Sequence, residues 1–416
     1  MKQVMQWLAI MITLNACGQS SSNSVTKETW NELNDPSILG SNTLTGEYQY
    51  ETKFDQLPLN ADLPKTPWSD FYWPTYKGGL TYRWSQGGDD VKRYDYIIKP
   101  FKELTADEIR VLSPAEKYDL YMGFDDYRTT IAERERTGAL RRIPEHDGYD
   151  AKLAPIPTWE GLCHAWAPAT LAFDEPRAVT LKNKAGVEIP FASSDVNGLL
   201  TMFLHQVPSR SRLLGSRCNE DLKAIQTDIG MVKYVFEGSP YFGWTEEQKA
   251  AEIKKLEAEL TRKGEQSECR DTNAGAFHLV ITNQIALLKE GFVADVTRDG
   301  EVWNHGIYGY SAKIEEVKEG FSPDAALGTV KEVTVATTMK YIVEVPYHAE
   351  RGAYNHNAAA ASKDYRYRLE LDRDGAIIGG KWLSYDRPDF LWKREIPKFE
   401  GIFTGVEEIY NAARQP

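Results

Sequence analysis

Thr158-Trp159-Glu160-Gly161-Leu162-Cys163-His164-Ala165-Trp166-Ala167-Pro168 is the stretch around which the chain is read. A cysteine follows a Gly-Leu pair and precedes small and apolar residues suited to the first turns of a helix. There the partial positive charge of a helix N-terminus favours a thiolate over a thiol. Free cysteine is also among the most buried residue types, so the stretch alone leaves nucleophile and core cysteine both open.

The chain has 416 residues, enough for one large domain or two ordinary ones. Its net charge of -12 argues against nucleic acid as a partner, because phosphate binding wants a basic surface. It leaves protein substrates open. At the N-terminus, Lys2 and the short apolar run from Trp7 to Leu14 fit a secretory signal, too short to span a bilayer. Leu14-Asn15-Ala16-Cys17 resembles the bacterial lipoprotein signal, in which Cys17 carries lipid and becomes the first mature residue; an ordinary cleaved signal is the alternative. The expected organisation is a signal over residues 1–16, a flexible polar tether over 17–45 and a catalytic domain over 46–416. The protein is expected to be exported, as an envelope lipoprotein or secreted.

Four cysteines occur, Cys17, Cys163, Cys218 and Cys269. In an oxidising compartment exposed pairs form disulfides. Cys218 and Cys269 lie in polar contexts and read as one pair, closing a loop of about 50 residues and contributing on the order of 4 kcal/mol in the chain-entropy model. Cys163 is then the spare thiol.

Along the chain, Trp68, Phe71, Tyr72, Trp73, Tyr76, Tyr82 and Trp84 read as a packed aromatic layer. Thr105 and Ser113 open helices with capping boxes, Pro114 standing at a first helical position. Asp125, Asp126 and His146 read as loop residues. Residues 177–191 read as a hairpin, 193–203 as a helical segment, and 245–263 as a charge-laced helix opened by Thr245 and Gln248. Gly275-Ala276-Phe277-His278-Leu279-Val280-Ile281-Thr282 reads as a strand, with His278 either a core histidine or a base. The strand at 291–296 carries Asp295 amid apolar residues, where a neighbouring imidazolium would offset its desolvation. Cys163, His278 and Asp295 thus follow the order of a papain-like or transglutaminase-like thiol site: attacking thiolate, base and ring orienter. Asp299 is the fallback for the carboxylate.

The Trp159–Pro168 stretch resembles the cysteine motif of the transglutaminase elicitor family known from oomycetes. Val302-Trp303-Asn304-His305-Gly306-Ile307-Tyr308-Gly309-Tyr310 resembles that family's short surface peptide, usually Val-Trp-Asn-Gln-Pro followed by Val-Arg-Gly. Leu112–Leu120 and Arg387–Trp392 resemble further family blocks. The resemblance implies a calcium-dependent protein-glutamine γ-glutamyltransferase, with Cys163 attacking a peptidyl-glutamine carboxamide and a lysine amine or water resolving the thioester. His305 and Gly306 depart from the usual Gln-Pro.

His164 reads as a packing or supporting group, since neighbours on a helix point about 100° apart. Trp159 or Trp166 could flank the acyl site, and the Cys163 backbone N–H is the favoured oxyanion donor. The runs from 331 to 345, 365 to 371 and 376 to 382 read as antiparallel strands extending the sheet, and His348 and His356 as loop residues. The expected fold is α+β, papain- or transglutaminase-like: a helix bearing Cys163 packed on an antiparallel sheet bearing His278 and Asp295, with a C-terminal β extension. The expected partners are proteins presenting glutamine and lysine side chains and, through Cys17, a membrane; no cofactor is required beyond calcium implied by the resemblance. A papain-like peptidase or amidase and a catalytically idle binding protein are the alternatives.

Overall fold

The computed structural model describes residues 30–414 except 32, 43–45, 48, 85–92, 218–221, 265–271, 297, 299 and 346–358. Cys17, Cys218, Cys269, Asp299, His348 and His356 therefore lie outside the described residues, as do the signal and most of the tether.

In chain order, β1 (Ser41–Asn42) and β2 (Gly46–Glu47) form a short ribbon and β3 (Asn60–Asp62) follows. Helices α1 (Ala106–Val111) and α2 (Pro114–Met122) open with the reciprocal bonds of Thr105 with Glu108 and Ser113 with Glu116. Helix α3 (Arg128–Thr137) stops at Gly138, whose φ of 56° is the left-handed cap. Then come α4 (Cys163–Ala172), the hairpin β4 (Val179–Lys182) and β5 (Glu188–Phe191), α5 (Ser193–Gln206) and β6 (Ser211–Gly215). Helices α6 (Leu222–Lys233) and α7 (Glu246–Gly264) pack on each other through Leu222, Ile225, Leu256 and Leu260. The chain closes with α8 (Ala274–Ile281), β7 (Phe292–Asp295), β8 (Asn304–Glu319), β9 (Lys331–Ile342), β10 (Ala360–Leu371), β11 (Ile377–Trp382), β12 (Phe390–Arg394) and α9 (Thr404–Ala413).

Among the described residues, the main sheet is eight-stranded in the order β11-β10-β9-β8-β7-β12-β6, with β3 on β8, and every pairing in it is antiparallel. Alternation along its strands sends side chains to two separate cores. Val293 joins one core with Cys163, Trp166, Leu199 and Phe203 of α4 and α5 and with Trp68, Phe71 and Trp73 of the aromatic layer. Its neighbours Phe292 and Ala294 join the other, with Phe277, Leu279 and Ile281 of α8. Helices therefore cover both faces of the sheet, with α4 and α5 on one and α8 on the other.

This arrangement corrects the reading of 275–282. The segment is a helix, not a strand. Asn273 caps it, its side-chain oxygen accepting from the N–H groups of Gly275 and Ala276. All eight helical residues are buried, so no polar face marks the helical period. A short, wholly buried apolar run carries the same signal in a helix as in a strand. The helix sits close on β11: a Cβ at Gly275 would meet the Gly379 carbonyl oxygen at 2.5 Å.

His278 is consequently a core residue of the face remote from Cys163. Its Nδ1 is 2.8 Å from the Tyr367 hydroxyl, which is 2.7 Å from Thr337 Oγ1. Its Nε2 is buried with no hydrogen-bond partner among the described residues, and burial pushes the imidazole down to about 3. Below about pH 6.5 the unfolded chain takes up a proton that the folded chain refuses, so folding loses about 1.4 kcal/mol per pH unit until the folded imidazole titrates. His278→Phe, which leaves Tyr367 its bond to Thr337, is expected to flatten the urea-unfolding stability between pH 6 and pH 4. Parallel pH profiles for variant and wild type would refute this.

Candidate active site

The loop before Cys163 is fastened to the aromatic segment by backbone bonds. The Leu162 N–H donates to the Tyr72 carbonyl at 2.8 Å, the Thr75 N–H donates to the Glu160 carbonyl at 2.8 Å, and the Tyr72 hydroxyl donates to the Thr158 carbonyl at 2.6 Å. Gly161 permits that approach, because a Cβ there would lie 2.8 Å from the Tyr72 carbonyl oxygen. Cys163 is thereby set as the first residue of α4, a free thiol only 6% exposed. Leu162 supplies no side-chain cap, so no protein side chain is spent on the positive end of the helix there.

The sulfur faces the start of β8. The thiol donates to the Val302 carbonyl at 3.7 Å and accepts from Asn304 Nδ2 at 3.5 Å. The Asn304 backbone N–H is a second donor to it. Trp392 of β12 donates from Nε1 to Asn304 Oδ1 at 2.8 Å. Since an indole N–H can only donate, the amide oxygen must face Trp392 and the amide N–H₂ the sulfur.

Asp295 lies opposite Asn304 in the β7–β8 ladder, wholly buried. Its charge, with that of Glu344 just beyond β9, falls on the Cys163 thiol. Burial, the largest effect, raises the thiol above its ordinary range; the two Asn304 donors pull it down, and Glu344 and Asp295 push it up.

His305 follows Asn304 and is 7% exposed. Its Nδ1 donates to the Ile342 carbonyl at 2.9 Å, and Glu344 lies 4.0 Å from the same nitrogen. With Nδ1 carrying the proton of the neutral ring, Nε2 holds the lone pair. Burial lowers this imidazole more than Glu344 raises it.

Of the expected triad, then, Cys163 and Asp295 share one face of the sheet and His278 does not join them. His164 turns to α5, where its Nε2 is 3.0 Å from His205 Nδ1. Trp166 is fully buried in the core and Trp159 lies under the Arg217 guanidinium, 5.8 Å from its ring centroid. Asn304, His305, Glu344 and Trp392 were not read as site residues. The signal available for three of them was their place in the quoted blocks 302–310 and 387–392; Glu344 closes an unremarkable strand. Among the described residues, no group of three or more His, Cys, Asp or Glu side chains is placed to hold a metal ion. No described helix is long and apolar enough to cross a membrane.

A family profile described as Transglutaminase elicitor matches residues 45–231 and 220–406. Among solved structures, the GP42 transglutaminase from Phytophthora sojae is similar, with a TM-score of 0.58 at 21% identity, covering 88% of this chain and 94% of the other. No curated protein matches the chain.

The fastening of the Cys163 loop is open to test. Gly161→Ala is expected to cost on the order of 1–3 kcal/mol through overpacking against Tyr72, read as a lowered Tm. A wild-type Tm would show that the two segments are not held in contact.

Proposed function

The chain belongs to the transglutaminase elicitor family, and from that premise we propose that it is a protein-glutamine γ-glutamyltransferase with Cys163 as nucleophile. The observation that carries the reading is the Cys163 sulfur at the first turn of α4, flanked by Asn304 and within the field of Asp295 and Glu344. The fold likeness to GP42 agrees with it.

In this reading the Cys163 thiol gives up its proton and the sulfur attacks the carboxamide carbon of a peptidyl glutamine. The C–N bond breaks, the proton returns to the leaving nitrogen, and ammonia departs from a γ-glutamyl thioester. A lysine amine then attacks the thioester, forming an isopeptide bond and restoring the thiol. The proton acceptor is proposed to be His305, with Glu344 to stabilise the imidazolium. This replaces His278, whose ring is committed to Tyr367; His305 and the Cys163 thiol share Glu344 as a neighbour. Asp295 is retained as a buried carboxylate beside Asn304, adding negative charge that opposes premature ionisation of the thiol. No step is routed through calcium.

Export with lipid on Cys17, and a Cys218–Cys269 disulfide, are carried as proposals from the sequence. They would place the enzyme at an envelope surface among protein substrates presenting glutamine and lysine.

The test is incorporation of a labelled primary amine into a glutamine-containing protein, with ammonia release followed in parallel. Cys163→Ala is expected to abolish both signals. His305→Gln and Glu344→Gln are each expected to lower the rate by about 10²-fold or more, the usual scale for lost acid–base assistance. His278→Phe is expected to retain it. The acid limb of the wild-type rate should lie below the ordinary histidine range, because burial holds His305 neutral to lower pH and the neutral ring is the active form. Ammonia release without amine incorporation would make the protein a hydrolase, and full activity in both His305 and Glu344 variants would remove the proposed base.

A further inference from the structure

Three features of the Cys163 environment do not follow from the acyl-transfer reading alone. The sulfur has two donors from a single residue, the side-chain amide and the backbone N–H of Asn304. The amide is fixed by Trp392, a residue from a strand on the far side of β7. And the remaining neighbours oppose a negative sulfur: Asp295 from β7, Glu344 from the segment after β9, and the Val302 carbonyl, which can only accept. His305 on β8 is held neutral, and Tyr72 of the aromatic segment keeps its hydroxyl on Thr158. Among the described residues, the groups with the largest effects on the thiol are Asn304, Glu344 and Asp295.

A thiolate in that setting is stabilised by the N–H donors of Asn304 and by the start of α4. We infer that Asn304 is a catalytic residue that holds the Cys163 thiolate through two N–H donors, and that Trp392 is a positioning residue that fixes which end of the amide faces the sulfur. The assignment rests on the reading of Cys163 as nucleophile. The chemistry is asymmetric. An N–H donor strengthens toward a charged sulfur, whereas the Val302 carbonyl loses its bond and repels it. Without Asn304, ionisation would keep only the start of α4 against the Val302 carbonyl and the two carboxylates. Without the Trp392 N–H, the amide can turn its oxygen to the sulfur and change from donor to acceptor.

Asn304→Asp is the sharpest variant, because it keeps the shape and the acceptor for Trp392 while replacing the donor by a carboxylate oxygen. Trp392→Phe keeps most of the ring volume and removes only the anchoring N–H. The readout is the pH dependence of Cys163 alkylation by iodoacetamide in the full-length protein, with Cys163→Ala as the blank. A donor-held thiolate has a lower pKa and, by the same bonds, lower intrinsic nucleophilicity. Per unit of thiol pKa, thiolate falls about 10-fold and its reactivity rises about 3-fold. In both variants the midpoint is therefore expected to move to higher pH while the high-pH plateau rises, more for Asn304→Asp than for Trp392→Phe. In Asn304→Ala, adding Trp392→Phe should change nothing further, since the indole would act only through the amide.

A packing defect moves the plateau without this opposed pattern. Wild-type alkylation profiles in Asn304→Asp and Asn304→Ala, with unchanged melting, would overturn the assignment of Asn304. An unshifted Trp392→Phe, or an undiminished Trp392→Phe effect in the Asn304→Ala background, would overturn that of Trp392. Alkylation needs no glutamine substrate, so a shifted profile in a protein that incorporates no amine would sink the transferase reading and leave the Asn304 assignment standing. Amine incorporation with unshifted profiles would do the reverse.

Discussion

The pairing of β7 with β8 is the constraint on which the site depends. Asp295 stands opposite Asn304 and Ala294 opposite His305, and the period of two then leaves little freedom. Val293 lies in the Cys163 core, Phe292 and Ala294 in the core of α8. A slip of one residue would exchange Asn304 for His305 beneath the sulfur and place Asp295 against α8. Register is therefore a chemical choice here as well as a packing one. It is held by apolar side chains on both faces of the strands, so the large cores specify the position of a few polar groups.

Burial opposes what the proposed nucleophile needs. A thiol 6% exposed, with two carboxylates near, is biased toward its neutral form. The start of α4 and the Asn304 donors work against that bias. Burial prevails in the free protein and holds the thiol above its ordinary range. The buried Asp195, away from the site, is neutralised directly. Lys117 donates to Asp195 at 2.6 Å with Trp84 on the other carboxylate oxygen, also at 2.6 Å, so that pair fixes α2 against α5 and carries no unspent charge. Cys163, by contrast, sits in the field of two carboxylates, Glu344 and Asp295.

Much of the architecture is legible in the sequence because its signals are local. The Thr105, Ser113 and Thr245 boxes, the hairpin at 177–191 and the alternation at 365–371 each declare themselves within a few residues, and the structure has them. The segment 275–282 does not, because a helix buried on all sides has no polar stripe and Phe277, Leu279 and Ile281 alternate by accident of composition. Reading it as a strand put His278 on the sheet and so into the triad. The site's remaining parts were unreadable for another reason: Asn304, Glu344 and Trp392 come from three different strands or their ends, and only the strand order β9-β8-β7-β12 brings them near one sulfur. No spacing in the chain encodes that order.

The departure at 305 and 306 takes on a different meaning in the folded chain. Read as a change in a surface peptide, it bears only on what might detect that peptide. Asn304 through Ile307 are in fact buried. Gly306 lies beneath α4, where a Cβ would be 3.0 Å from Thr170 Oγ1 and 3.3 Å from Leu171 Cγ. A larger residue there would lift the helix whose first residue is Cys163. His305 meanwhile puts an imidazole between the Ile342 carbonyl and Glu344. Gly306 thus sets how closely α4 approaches β8, while His305 stands opposite Ala294 with Glu344 as a neighbour it shares with the thiol. A side chain with no proton to exchange at 305 would leave the described site with carboxylates alone as acceptors, and the field of those carboxylates already opposes the thiolate. For this chain, His305 and Gly306 belong to the packed interior, not to the surface.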